Sequence, residues 1–325
     1  MKKLIRLKPI NLKKEHEYDR LIESDRVMTD VFLSRHFEIH QIEMTPEEMK
    51  LPGISLYFRD NMAEVGNSII INKSLLPDSL DLLNLELFKK QFLIALFEGL
   101  KKKPIPSDDN SCHAAFYLES EDFILVSSKM SMGEYEVRVL GLDKPYYIMH
   151  QVSTPFSVGV QSSGLNYFNK AEWDSANGHI DTRIGIVEEA KIIYVTPSKG
   201  PNLKGFDIFR KENDRRLEDI ASEFGYEIRE YPYNPMMIEY LTKGVGVLPK
   251  SHRKYVEKFG AQYILGSLIN GINFITDGDK LFTSYISDDE KKHLRTKGVN
   301  AITVPINYSL NGAGLRCVYG EISKL

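Results

Sequence analysis

The sequence predicts an α/β fold made of repeated β-β-α-β units, held in a single domain over residues 1–325. Three observations predict it. Short apolar runs bounded by turn residues come in pairs, each pair leads into helical periodicity and one more short run, and no low-complexity linker interrupts this order.

The first pair is "ISLYFRD" (54–60) and "SIIIN" (68–72), close enough in sequence to form a hairpin. In the segment that follows, Leu85, Phe88, Phe92, Leu96 and Leu100 recur at helical spacing and mark one face of an amphipathic helix. Lys101, Lys102 and Lys103 suit the C-terminal end of its dipole, and Pro104 stops it. "AAFYLE" and "FILVSS", then "HIDTRIGIV" and "KIIYVTP", supply the next strands. A helix is expected over 213–225, where Leu217, Ile220, Ala221 and Phe224 share a face, and "YEIREYP" reads as the strand after it. Nearer the C-terminus, "LINGINFI" and "KLFTSYI" form another hairpin. "SDDEKKHLRTKG" then opens with a capping box at Ser287 and Glu290 and closes at Gly298, and "AITVPIN" returns as a strand.

Composition excludes several classes of function. Acidic and basic residues nearly balance at a net charge of −3, so no basic excess points to nucleic acid. The two cysteines, Cys112 and Cys317, are too few for a disulfide framework and suggest a reducing compartment. Arg6, Lys8, Lys13 and Lys14 interrupt any apolar core of a signal peptide, and no run is long enough to span a bilayer. The expectation is a cytoplasmic protein with no membrane association. Homo-oligomerisation stays open.

Polar residues recur at strand ends. Asp60 ends one strand, Glu119 ends a strand of the next unit, and His179 with Asp181 stands in the third, at near-equal steps along the chain. Cys317 follows about two units later, and five units of about 65 residues would fill the chain. Units set in a ring would gather such residues in the middle. On a strand, alternation would put His179 and Asp181 on one face, with Arg183 on that face again. The same pair could bind a metal, but no further histidine or cysteine lies at ligand spacing, so neither a metal nor a cofactor is expected. Cys112 reads as a packing or loop thiol, and His113, His150 and His252 read as structural.

Four stretches in order, "YFRDNMAEVGNSIII", "LESEDFILV", "GHIDT" and "GLRCVYGEI", resemble the guanidine-modifying enzymes of the pentein superfamily. That group comprises arginine, agmatine and peptidylarginine deiminases, dimethylarginine hydrolases and amidinotransferases. The resemblance implies a five-bladed α/β propeller of β-β-α-β modules. It also implies Asp60 and Glu119 as carboxylates that grip a guanidinium, His179 and Asp181 as the His-x-Asp pair, and Cys317 as the nucleophile. One departure is "ESED" where many members carry two glycines. There Ser120 replaces a glycine, and Glu121 and Asp122 are rival carboxylates.

The residue types suit the chemistry. A guanidinium is a planar forked donor that carboxylates such as Asp60, Glu119 and Asp181 can hold from several sides. Its resonance-stabilised carbon calls for a strong nucleophile, the role of Cys317, and its poor leaving group calls for a proton donor, the role of His179. Three carboxylates near the thiol disfavour a thiolate and a bound cation favours it, so substrate-assisted activation is expected. Arg183 is a candidate for binding a substrate carboxylate.

The expected function is a deiminase-type thiol hydrolase on arginine or an arginine derivative, free or peptidyl, giving a ureido product and ammonia or an amine. An amidinotransferase is the alternative, because an amine could intercept the same covalent intermediate. A non-catalytic binding scaffold would not need the whole residue set. A papain-like hydrolase would want an oxyanion hole rather than converging carboxylates.

Overall fold

The computed structural model describes residues 3–13, 17–47, 62–65, 68–72, 103–107, 116–127, 144–150, 180–197, 206–235, 239, 243, 271–305 and 314–322. In chain order these form β1 (Lys3–Pro9), α1 (Glu17–Leu33), β2 (Glu38–Met44), β3 (Met62–Val65), β4 (Ser68–Asn72), β5 (Lys103–Ser107), β6 (Tyr117–Glu119), β7 (Ile124–Ser127) and β8 (Tyr146–Met149). A 3-10 turn at Ile180–Thr182 precedes β9 (Ile184–Val187), β10 (Ile192–Val195), α2 (Phe206–Phe224) and β11 (Glu227–Glu230). The last elements are β12 (Ile275–Asp277), β13 (Lys280–Thr283), α3 (Asp288–Thr296), β14 (Asn300–Thr303), α4 (Leu315–Val318) and β15 (Gly320–Ile322).

Among the described residues the strands make five three-stranded sheets of one design. In each, a middle strand pairs antiparallel with a first strand and parallel with a third, as in β9-β10-β11 and β12-β13-β14. This is the β-β-α-β unit expected from the sequence, since a parallel pair needs a crossover, here α2 or α3. The fifth sheet, β15-β1-β2, takes its first strand from the C-terminus and the other two from the N-terminus. It was not foreseen.

The middle strands β7 and β10 are buried on both faces, which fits the near-continuous apolar runs "ILVS" and "IIYV". Neighbouring sheets share cores. Leu118, Leu125 and Met149 of one pack with Ile184, Ile193 and Leu217 of the next. Val187, Ile192 and Tyr194 pack with Leu281, Leu294 and Val299, and Ile275 and Phe282 pack with Leu4, Leu33 and Tyr319. β3 in turn touches β6.

Several boundaries differ from expectation. The hairpin expected at 54–60 and 68–72 is formed by β3 and β4, and 54–60 itself lies outside the described residues, as does the helix read over Leu85 to Leu100. The strand expected at "LINGINFI" is instead β12, a few residues later. α2 begins before 213. Of the expected capping box the serine half is present: Ser287 caps α3 by accepting from the Glu290 amide at 3.3 Å, while the Glu290 carboxylate accepts from Tyr194 and Arg229, and Gly298 leaves the helix at φ +84°, where a side chain is strained. No helix among the described residues is long and apolar enough to cross a membrane.

The terminal sheet is tied by a buried charge cluster. Arg6 is fully buried and donates to both carboxylate oxygens of Asp30 at 2.6–3.0 Å and to Glu23 at 2.8 and 3.0 Å. Asp30 also accepts from Gln41 and from the Tyr319 hydroxyl, each at 2.7 Å, so β1, α1, β2 and the segment entering β15 meet on one carboxylate. Burial acts against the Arg6 charge, but the hydrogen bonds and charges of Asp30 and Glu23 outweigh it and hold the guanidinium above its ordinary pKa.

Candidate functional site

Three segments stand just before the first strand of a sheet: the turn 180–182 before β9, the loop 271–274 before β12, and α4 before β15. They carry Asp181, Asn273 and Cys317. The structure brings the three together. The Asn273 side chain accepts from the Cys317 amide at 3.1 Å through Oδ1 and donates to the Asp181 carbonyl at 3.4 Å through Nδ2. The Cys317 amide also faces the Gly314 carbonyl at 3.2 Å, and the Arg316 amide donates to the Asn273 carbonyl at 3.4 Å. Asp181, Asn273 and Cys317 are all buried, Cys317 the least of them at 8 % exposure.

Local structure differs from expectation at both Asp181 and Cys317. Ile180–Thr182 is a 3-10 turn closed by the Arg183 amide on the Ile180 carbonyl at 2.9 Å, so strand alternation does not place Asp181 and Arg183 on a common face. Cys317 lies in the one-turn helix α4, not in a strand, and packs with Leu4, Phe37, Ile275 and Leu315. It forms no disulfide among the described residues. Asp60 and His179 lie outside the described residues.

Arg183 is buried, and burial pulls its pKa down to about 9, with Tyr233 partly opposing the shift.

Glu119 ends a strand, as the sequence suggested. It ends β6 at the hairpin turn, whereas Asp181 precedes β9 at the start of its sheet. Contacts across units show the hairpin turns at one common end: the Glu121 amide donates to Glu188 at 3.2 Å, and Lys191 pairs with Asp122 at 2.7 Å. The Glu119 carboxylate accepts from Lys144 at 2.9 Å, and Lys144 also donates to the Ser120 carbonyl at 2.8 Å. Glu119 thus stands at the hairpin end of β6, and Asp181 precedes the opposite end of β9. Glu119→Gln is expected to cost less than about 1 kcal/mol and to leave turnover unchanged; loss of turnover in the folded variant would restore Glu119 to the site.

The "ESED" turn is explained in the same place. The Ser120 hydroxyl accepts from the Asp122 and Phe123 amides at 3.1 and 2.9 Å, so the serine closes the turn without glycine. Asp122 faces Lys191, whose hydrogen bond holds its pKa below the ordinary value. It is a rival carboxylate in sequence only.

Sequence reasoning missed Asn273. A polar residue inside the apolar run "NGINFI" was the available signal, but its meaning depends on where β12 starts.

No protein-family model matches the chain, and no curated protein matches its sequence. Solved structures do. The N-terminal domain of ArgZ, caught covalently bound to a reaction intermediate, is 10 % identical with a TM-score of 0.56, over 100 % of this chain and 98 % of that one. ArgZ is described as an arginine dihydrolase from the ornithine-ammonia cycle in cyanobacteria. SxtG, an amidinotransferase from Microseira wollei in the saxitoxin biosynthetic pathway, is 12 % identical with a TM-score of 0.56, over 100 % and 95 %. AgrE in complex with ornithine and NAD+ is 11 % identical with a TM-score of 0.55, and the match spans 99 % of this chain but 39 % of AgrE. Identities this low speak for architecture alone, and on that ground the chain shares the α/β fold of these three proteins.

Proposed function

We propose that the chain is a thiol enzyme acting on a guanidino group, with Cys317 as nucleophile and Asp181 as a guanidinium-binding carboxylate. The observation that carries this reading is the junction at Asn273, which ties the turns of Asp181 and Cys317 together across three units. The five sheets stand as blades around one axis in this reading. Its support is that successive sheets share cores and that the terminal sheet is completed by both chain ends.

A guanidinium held by Asp181 and Asp60 presents its central carbon to the Cys317 thiolate. Sulfur attacks that carbon, and the tetrahedral adduct collapses as His179 protonates the departing nitrogen. The thiouronium that remains takes water, deprotonated by His179, and the C–S bond breaks to give the ureido product and the regenerated thiolate. For arginine, water enters and ammonia leaves. The engagement of the Cys317 amide suits this chemistry, because acyl hydrolases use the amide of their nucleophile as an oxyanion donor, whereas attack on a guanidinium forms no oxyanion.

Amidinotransfer is the second reading, favoured by the likeness to SxtG. Incubation with a panel of guanidino compounds, with and without amine acceptors, separates the two. Ureido product with ammonia supports the hydrolase, a new guanidine supports the transferase, and no turnover by folded protein refutes both.

Arg183 supplies the proposed site for a substrate carboxylate. Arginine is therefore expected to raise the melting temperature more than agmatine, which lacks the carboxylate, and Arg183→Gln is expected to remove the difference. An equal response of the wild type to both ligands would exclude this role.

A further inference from the structure

We propose that Asn273 is the positioning residue of the Cys317 nucleophile, a role that rests on the guanidino reading above. Its side chain reaches two other units from a third: Oδ1 takes the Cys317 amide at 3.1 Å, and Nδ2 reaches the Asp181 carbonyl at 3.4 Å. A primary amide is suited to this because it carries an acceptor and donors on one rigid plane. An ionised carboxylate of the same shape lacks the donor, and an apolar side chain lacks both.

The frame around Asn273 leaves it little freedom. On one side the Gly271 carbonyl accepts from the Thr283 hydroxyl at 2.8 Å, and Thr283 lies 3.0 Å from the Tyr231 hydroxyl, which donates to the Tyr285 carbonyl at 2.8 Å. On the other side the Phe274 ring lies against Gly185, where a Cβ would sit 2.6 Å from the ring. Gly314 presses on Asn273 itself: a Cβ at 314 would stand 2.3 Å from both Cβ and Oδ1 of Asn273. Close approach, not backbone conformation, makes glycine necessary there, since Gly314 has φ −90°.

The backbone carrying the nucleophile is thus indexed to the backbone carrying the guanidinium-binding aspartate. Asn273 sets where the Cys317 side chain starts relative to Asp181, without being assigned any contact with the reacting atoms.

The test uses Asn273→Ala and Asn273→Asp in the full chain, with two readouts. One needs no substrate: the rate of Cys317 alkylation by iodoacetamide against pH, resolved at the peptide level by mass spectrometry. The other is kcat and KM on the guanidino compound the wild type turns over. Asn273→Ala is expected to lower kcat on the order of a hundredfold, the effect of misplacing a reacting group by about 1 Å, with little change in KM and an altered alkylation profile. Asn273→Asp keeps the acceptor and regains a donor once its carboxyl is protonated, so part of the lost kcat should return as pH falls. Unchanged kcat and alkylation in folded Asn273→Ala overturns the proposal. So does an Asp variant no better than Ala at any pH. If the wild type turns over no guanidino compound, the functional reading fails on its own, and the alkylation profiles still decide whether Asn273 positions Cys317. Should the alanine variant not fold, the near-isosteric aspartate variant decides by the same measurements.

Discussion

Cys317→Ala is expected to lower turnover of the guanidino substrate on the order of 10⁴-fold or more while leaving the melting temperature within a few degrees of wild type. The kinetic loss is large because the covalent route has no substitute: water is a poor nucleophile toward a resonance-stabilised carbon, and the remaining groups bind and transfer protons without forming the bond. The structural loss is small because removing one sulfur from a residue packed with Leu4, Phe37, Ile275 and Leu315 leaves the backbone contacts of α4 intact. Mass spectrometry of acid-quenched wild type should also reveal a covalent adduct that the variant lacks. Retention of turnover by Cys317→Ala would remove the thiol mechanism altogether.

The second large effect concerns stability. Asp30→Ala is expected to destabilise the protein by about 3–5 kcal/mol, because it strips the fully buried Arg6 of its principal carboxylate and leaves Gln41 and Tyr319 without their acceptor. A fall in melting temperature on the order of 10 °C is the corresponding observation. Replacing Arg6 and Asp30 together by apolar residues of similar volume should cost less than Asp30→Ala alone, since the penalty lies in an uncompensated buried charge and not in the absence of an ion pair. A destabilisation of Asp30→Ala below about 1 kcal/mol, measured by denaturant unfolding, would show that the cluster does not hold the terminal sheet.

The same cluster explains why hydrophobic pattern alone does not reveal the terminal sheet. In "KLIRLKP" a central arginine breaks an apolar run and suggests surface, yet β1 is buried along most of its length, Arg6 included. On α1, Arg26, Thr29 and Asp30 are buried while Val27, Met28 and Val31 are exposed, the reverse of an ordinary amphipathic face. A pattern of hydrophobicity cannot anticipate a charge whose partners come from other segments. The later units lacked this obstacle: β7 and β10 were legible because their inward faces are apolar, and α3 because Ser287 and Gly298 mark its ends.

The site was legible in part. Cys317 and Asp181 were singled out as candidates by residue type and motif order, and the structure places their turns on one asparagine. Spacing along a chain does not record which end of a strand a residue occupies, so it did not show that Glu119 lies at the hairpin end of β6 beside Lys144. Two residues about sixty apart in successive units can stand at opposite ends of their sheets if one precedes the first strand and the other ends it.

By itself the sequence determined the β-β-α-β order, the α/β class and a family resemblance, because each depends on periodicity and motifs within a few dozen residues. Only the tertiary structure decided that the chain ends share a sheet, that Glu119 lies at a hairpin turn beside Lys144, and that Asn273 joins Asp181 to Cys317. Those outcomes depend on pairing between segments far apart in the chain, where the register of a strand and the partner of a buried polar group are settled by packing and not by local pattern.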